Sequence, residues 1–218
     1  MLGDGLAVGF SPDGAFVGGI LTEPRHFVKY PVATGESVAI DFGQLERLEL
    51  FGTWLPDGSP VACGNEKGHR SRCYLQDAGR LQPVTPEGMA AMLVSPDSKS
   101  LAIGPSRYAL TRILPFGGAD SQAIRDLMPD DFVVGWTRDS KSLIVQRHDL
   151  PARLERLDPV TGARVLIRTV GPADRAGLLG MWVTSALEDG RYYAYSYNRN
   201  LATLYVLTPG RETADGKK

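Results

Sequence analysis

Ser11-Pro12-Asp13-Gly14 stands between two short apolar runs, Leu6-Ala7-Val8-Gly9-Phe10 and Phe16-Val17-Gly18-Gly19-Ile20. Proline presets φ, aspartate bonds forward to the backbone and glycine accepts a positive φ, so the four residues read as a tight reversal between two strands. The turn returns as Leu55-Pro56-Asp57-Gly58, Ser95-Pro96-Asp97-Ser98, Thr137-Arg138-Asp139-Ser140 and Leu187-Glu188-Asp189-Gly190. Its aspartates fall about 40 to 50 residues apart, the period of propeller blades and other repeat units. We assign them to turn-making.

Outward from each turn, a repeat divides into four short strands, a to d. In the first these are 6–10, 16–21, 26–32 and 38–42; in the second, 48–54, 61–65, 71–76 and 81–84. The third runs over 89–128 and the fourth over 132–170. Four strands per unit with no helical periodicity predict an all-β fold, a β-propeller of five four-stranded blades. The single domain divides at about 1–47, 48–88, 89–131, 132–178 and 179–210, with a polar tail at 211–218. The last blade reads as incomplete: strands a (179–184), b (192–197) and c (203–207) are present, and the tail is too polar for a fourth. Two arrangements follow, a small ring closed imperfectly by five blades or the last five blades of a longer propeller.

Composition narrows the function. The formal net charge of −1 argues against a dedicated binder of nucleic acid or of a membrane surface. No apolar run approaches the roughly 18 residues that span a bilayer, and no signal peptide is visible, so the chain as written is expected in the cytoplasm. The 25 Gly and 15 Pro fall at regular intervals, which reads as turns between many strands.

Gly9-Phe10-Ser11-Pro12-Asp13-Gly14, Val94-Ser95-Pro96-Asp97-Ser98-Lys99-Ser100-Leu101-Ala102-Ile103 and Gly135-Trp136-Thr137-Arg138-Asp139-Ser140-Lys141-Ser142-Leu143-Ile144-Val145 resemble the WD-repeat-like propellers of the TolB type over essentially the whole chain. The stretch from Tyr192 to Leu207 is similar to the close of propeller regions that follow the kinase domain in certain bacterial serine/threonine kinases. The resemblance implies a fold and a sensing or protein-binding habit, and it carries over no catalytic residue. In those kinases the propeller lies beyond a membrane span, which would make a detached portion such as this one periplasmic.

His26, His69 and His148 all fall in b–c connections, together with Arg25, Lys67, Arg70, Arg107, Arg147, Arg153 and Arg199. The b–c and d–a connections share one face of a propeller. A basic, partly titratable rim for a protein or small-molecule ligand is therefore expected there, with Arg25, His26, His69, Arg70, Arg147, His148 and Arg199 as binding residues. Loops of different blades stand too far apart for one metal to collect three histidines, so no metal is assigned. Asp4, Glu49 and Asp131 precede or open strand a in three repeats. Converging at the channel mouth, they would resemble the carboxylates of five-bladed glycosidases, the alternative catalytic reading. Folding the second b–c hairpin about Gly68 sets Cys63 opposite Cys73, close enough for a disulfide, although with no export signal two buried thiols are expected. No Gly-x-Ser-x-Gly elbow or phosphate-binding Gly-x-x-x-x-Gly-Lys occurs, and no cofactor is implied. Trp54, Trp136 and Trp182 recur in strand a, which fits packing between blades better than a ligand platform. The expected protein is a binding or scaffold module; a third reading is a fragment completed by pairing with a second copy.

Overall fold

The structure, a computed structural model, describes residues 3–23, 25–77, 79–118 and 120–202. Strand c of the fifth repeat and the polar tail lie outside the described residues. Four blades of four antiparallel strands follow one another: β1 (Leu6–Phe10) to β4 (Val38–Ile40), β5 (Arg47–Trp54) to β8 (Arg80–Pro83), β9 (Ala91–Val94) to β12 (Gln122–Ala123), and β13 (Asp131–Trp136) to β16 (Arg164–Val170). A fifth, two-stranded sheet pairs β17 (Leu178–Ala186) with β18 (Tyr193–Arg199). Within the first four blades lie β2 (Phe16–Thr22), β3 (Arg25–Pro31), β6 (Pro60–Asn65), β7 (Arg72–Asp77), β10 (Ser100–Gly104), β11 (Arg112–Pro115), β14 (Leu143–Arg147) and β15 (Ala152–Leu157). The fold is an all-β propeller with an incomplete fifth blade among the described residues.

The turns are built as their residues dictate. Ser11 Oγ donates to Asp13 Oδ1 at 2.5 Å, that carboxylate accepts from the Ala15 amide at 3.0 Å, and Ser11 Oγ accepts from the Phe16 amide at 3.0 Å. Ser95 with Asp97 and Thr137 with Asp139 repeat the pattern. Where leucine replaces the hydroxyl residue, Asp57 and Asp189 keep the forward bond, to the amides of Ser59 and Arg191, and Asp189 also accepts from Arg191 Nε at 2.6 Å. The fourth residue is left-handed in all five turns: φ is 69° at Gly14, 85° at Gly58 and 66° at Gly190, but also 62° at Ser98 and 61° at Ser140. Ser140 is useful in that strained state, because its Oγ accepts from the Asp97 amide of the preceding blade at 3.0 Å.

The second, third and fourth blades are apolar on both faces because each is covered on both faces. Successive residues of a strand point to opposite sides, so they join different cores. Leu101 and Ile103 face the second blade beside Val61, Cys63 and Cys73, whereas Ala102 faces the fourth beside Leu143 and Val145. Ile144, between those two, turns to Met181 and Val183 of the fifth. Phe27, Trp54 and Ala62 fill the space between the first and second. Tryptophan reinforces two interfaces: Trp54 Nε1 donates to Gly9 O and Trp136 Nε1 to Leu93 O, each at 3.1 Å and each into strand a of the preceding blade. Between the fourth and fifth blades the buried Gln146 does this work, giving Nε2 to Met181 O at 2.7 Å and accepting from the Val183 amide at 2.6 Å. Strands a contact one another in chain order, and among the described residues no comparable packing joins β17 or β18 to the first blade.

Cys63 pairs with Cys73 in the β6–β7 ladder, as the hairpin symmetry requires, and both are fully buried. The structure joins them as a disulfide in place of the two thiols expected, the ladder register having set the two residues directly opposite each other. Among the described residues there is no helix long and apolar enough to cross a membrane.

Candidate functional site

The rim residues do not converge on one point. Arg25 Nη1 donates to Leu48 O of the next blade at 2.9 Å, so part of its fork laces blades together. Arg25 and His26 also line a cavity of about 720 Å³ with Asp41, Glu46 and Arg47, between the first two blades. His69 Nδ1 lies 2.6 Å from Glu87 Oε1, and the imidazole holds that exposed carboxyl below the usual carboxylate range. Arg70 packs beside Gly88. Arg199 is paired with Asp174 at 3.0 Å. His148 meets Trp182 edge-on, with ring centres 6.2 Å apart. Arg147 occupies the last position of β14, opposite Asp131 and Arg153. Among the described residues no set of three or more His, Cys, Asp and Glu is placed to hold a metal ion.

The three carboxylates of the catalytic reading have different surroundings. Asp131 is buried, accepts from the Met128 amide at 2.8 Å and pairs with Arg164, which also holds Glu155 at 2.9 Å. Glu49 accepts from Ser71 Oγ at 3.0 Å on the wall of a cavity of about 430 Å³. Asp4 is exposed, and its backbone carbonyl receives the Tyr30 hydroxyl at 2.8 Å. Glu49 and Asp131 line different cavities, and Asp4 lines neither of these.

The most developed site is one that sequence reasoning did not assemble. A cavity of about 660 Å³ opens where three blades meet, lined by Arg107, Tyr108, Phe132, Trp182, Val183, Thr184 and Ser196. Arg107 and Tyr108 come from the connection between β10 and β11, Phe132 from the start of β13, and Trp182 from the middle of β17. Tyr108 is 71% exposed, and its ring lies 5.7 Å from that of Phe132. The Arg107 guanidinium sits 4.9 Å from the centre of the Phe132 ring, giving Nη1 to Val133 O at 2.8 Å. Burial pushes its pKa down from the ordinary arginine value. Arg107 and Tyr108 also line the 430 Å³ cavity beside Glu49. The volume suits a small molecule, and aromatic walls with a few polar groups are the usual make-up of a binding pocket. The usable signals were the aromatic residue next to the strand-opening Asp131 and the Arg-Tyr pair in the one complete b–c connection that lacks a histidine.

Comparison with solved structures shows that the chain shares the β-propeller fold of TolB-type proteins. TolB from Acinetobacter baumannii matches with a TM-score of 0.60 at 14% identity, over 86% of this chain and 52% of that one. A putative TolB from Agrobacterium tumefaciens gives 0.53 at 18% identity, over 72% and 62%. An oligogalacturonate lyase from Vibrio parahaemolyticus gives 0.54 at 13% identity, over 83% and 55%. The chain thus spans 52% to 62% of the length of these structures, and at such identities the likeness establishes the fold alone. Neither a protein-family model nor a curated protein matches the sequence.

Proposed function

We propose that this propeller is a non-catalytic binding module whose ligand enters the mouth between the third, fourth and fifth blades. The observation that carries the reading is the convergence of Tyr108, Phe132 and Trp182, from three separate blades, on one open cavity. Large aromatic side chains left accessible in a concave site are the groups that most often anchor a bound partner. His148 meets Trp182 beside the mouth, while Arg25 and His26 belong to the cavity between the first two blades. The test is a fluorescence titration with the uncharged probe N-phenyl-1-naphthylamine. Alanine at Tyr108 or Trp182 is expected to weaken binding about tenfold, the scale of one aromatic contact. Alanine at Arg25 or His26 should leave it unchanged, and the reverse pattern would move the site to the first two blades.

A second reading concerns assembly. Phe10 holds the place before the turn that Trp54 and Trp136 fill in their blades, yet it is 65% exposed, and Leu6 on the same strand is exposed too. Leu187, Tyr192 and Tyr197 are exposed on the fifth blade. These surfaces continue the blade-to-blade interface, so a second copy of the chain could dock by the same packing. Light scattering should then give a dimer or larger assembly that Phe10→Asp returns to a monomer; a monomeric parent chain would refute it.

A further inference from the structure

Arg107 is a partly buried cation without a counter-charge among the described residues. Its Nη1 and Nη2 reach the carbonyl oxygens of Val133 and Val134 at 2.8 and 3.5 Å, and its remaining contact is the face of Phe132. Four other partly buried arginines are paired, Arg72 with Glu66, Arg153 with Glu155 and Arg199 with Asp174, each at 3.0 Å, and Arg164 with Asp131 and Glu155, while the partly buried Arg112 is held by Ser121. Among the described residues Arg107 forms no such ion pair. Glu49, across the neighbouring cavity, is turned to Ser71 and to Arg47, whose Nε is 3.8 Å away. Carbonyl dipoles and a ring face offset only part of the cost of taking a guanidinium out of water. That deficit falls on the wall of the aromatic cavity.

We propose that the mouth takes a small aromatic anion, with its flat ring against Phe132, Tyr108 and Trp182 and its anionic group against Arg107. The inference rests on the mouth being the binding site and adds the charge of the ligand. Thr184 and Ser196 line the cavity and offer hydroxyls to the polar edge of such a molecule. An anionic group here gains a charge-assisted contact in a site partly withdrawn from water.

Two probes of nearly the same shape separate the claims: 8-anilinonaphthalene-1-sulfonate, which is anionic, and N-phenyl-1-naphthylamine, which is neutral. Only the binding abolished by Trp182→Ala is counted as binding at the mouth. The wild-type chain is expected to hold the anion at least tenfold more tightly than the neutral probe, the scale of one charge-assisted hydrogen bond. Arg107→Gln should bring that ratio close to one, and Arg107→Lys should keep part of it. A wild-type ratio near one overturns the proposal without any variant, which matters because Arg107 also ties β13 in place. So does an unchanged ratio in a folded Arg107→Gln chain. If Trp182→Ala affects neither probe, the binding site itself has been misplaced, an outcome distinct from loss of the charge preference alone.

Discussion

Gln146→Ala is expected to loosen the fifth blade from the fourth by a calculable amount. Gln146 is 1% exposed, and its amide closes two bonds of 2.7 and 2.6 Å to Met181 O and the Val183 amide. Met181 and Val183 are themselves 1% and 0% exposed, so water cannot readily replace the lost partner. A net loss of about 1 kcal/mol per bond, plus part of the penalty for two buried groups left unsatisfied, gives roughly 2 to 4 kcal/mol. Gln146→Leu should cost about as much, because filling the space with apolar atoms leaves both backbone groups unpaired. Gln146→Glu keeps an acceptor for Val183 but sets a carboxylate oxygen against Met181 O, so its cost should shrink as the pH falls and the new carboxyl takes up a proton. Urea unfolding gives the total, and hydrogen exchange at the Val183 amide gives the local term, expected to accelerate about 30-fold or more in Gln146→Ala. Unchanged Val183 protection would refute the clamp, whatever the global stability did.

Other consequences follow from named contacts. Arg164→Met strands the buried carboxylate of Asp131 and leaves Glu155 only Arg153, and should cost about 3 to 5 kcal/mol in denaturant unfolding, with most of it recovered when Asp131→Asn is added. Asp13, Asp97 and Asp139 are held below the ordinary value of 3.8, first by the hydroxyls of Ser11, Ser95 and Thr137 and then by backbone amides. A depressed folded-state pKa means stability present above about pH 4 and lost as the pH falls through the lower folded value, so asparagine at all three sites should flatten acid unfolding below pH 4. Ser98→Gly relieves a left-handed serine worth about 1 kcal/mol but adds unfolded-chain entropy of similar size, so its melting temperature should barely move. Ser140→Gly has the same balance and also loses the acceptor of the Asp97 amide, so it should be about 1 kcal/mol less stable than Ser98→Gly.

The architecture was legible because the turn chemistry is local. Asp13 and its four counterparts bond to amides two residues on, so each turn announces itself within a few residues, and the apolar runs beside it can only be strands. Even the facing of Cys63 and Cys73 could be read, because a hairpin's register is set by its own loop. The site was less legible because it is made between blades. The histidines share a position in their repeats, but equal positions in a propeller radiate apart: His26 lines the cavity between the first two blades, His69 pairs with Glu87 and His148 meets Trp182. Arg25 looked like a free rim cation, yet its Nη1 reaches the next blade's Leu48 carbonyl, a partner 23 residues away that no local pattern shows. Trp182 shared the recurrence of Trp54 and Trp136, but only those two close a bond to the preceding blade. Gln146 holds its place at the next interface, and that leaves the indole of Trp182 facing the cavity.

Amide chemical-shift mapping of the labelled chain titrated with N-phenyl-1-naphthylamine tests the location of the binding site most directly. The account predicts saturable shifts confined to the Arg107–Tyr108 connection, the start of β13 and the middle of β17. Shifts gathered instead around Arg25, His26 and residues 39–48, which line the cavity between the first two blades, would contradict it.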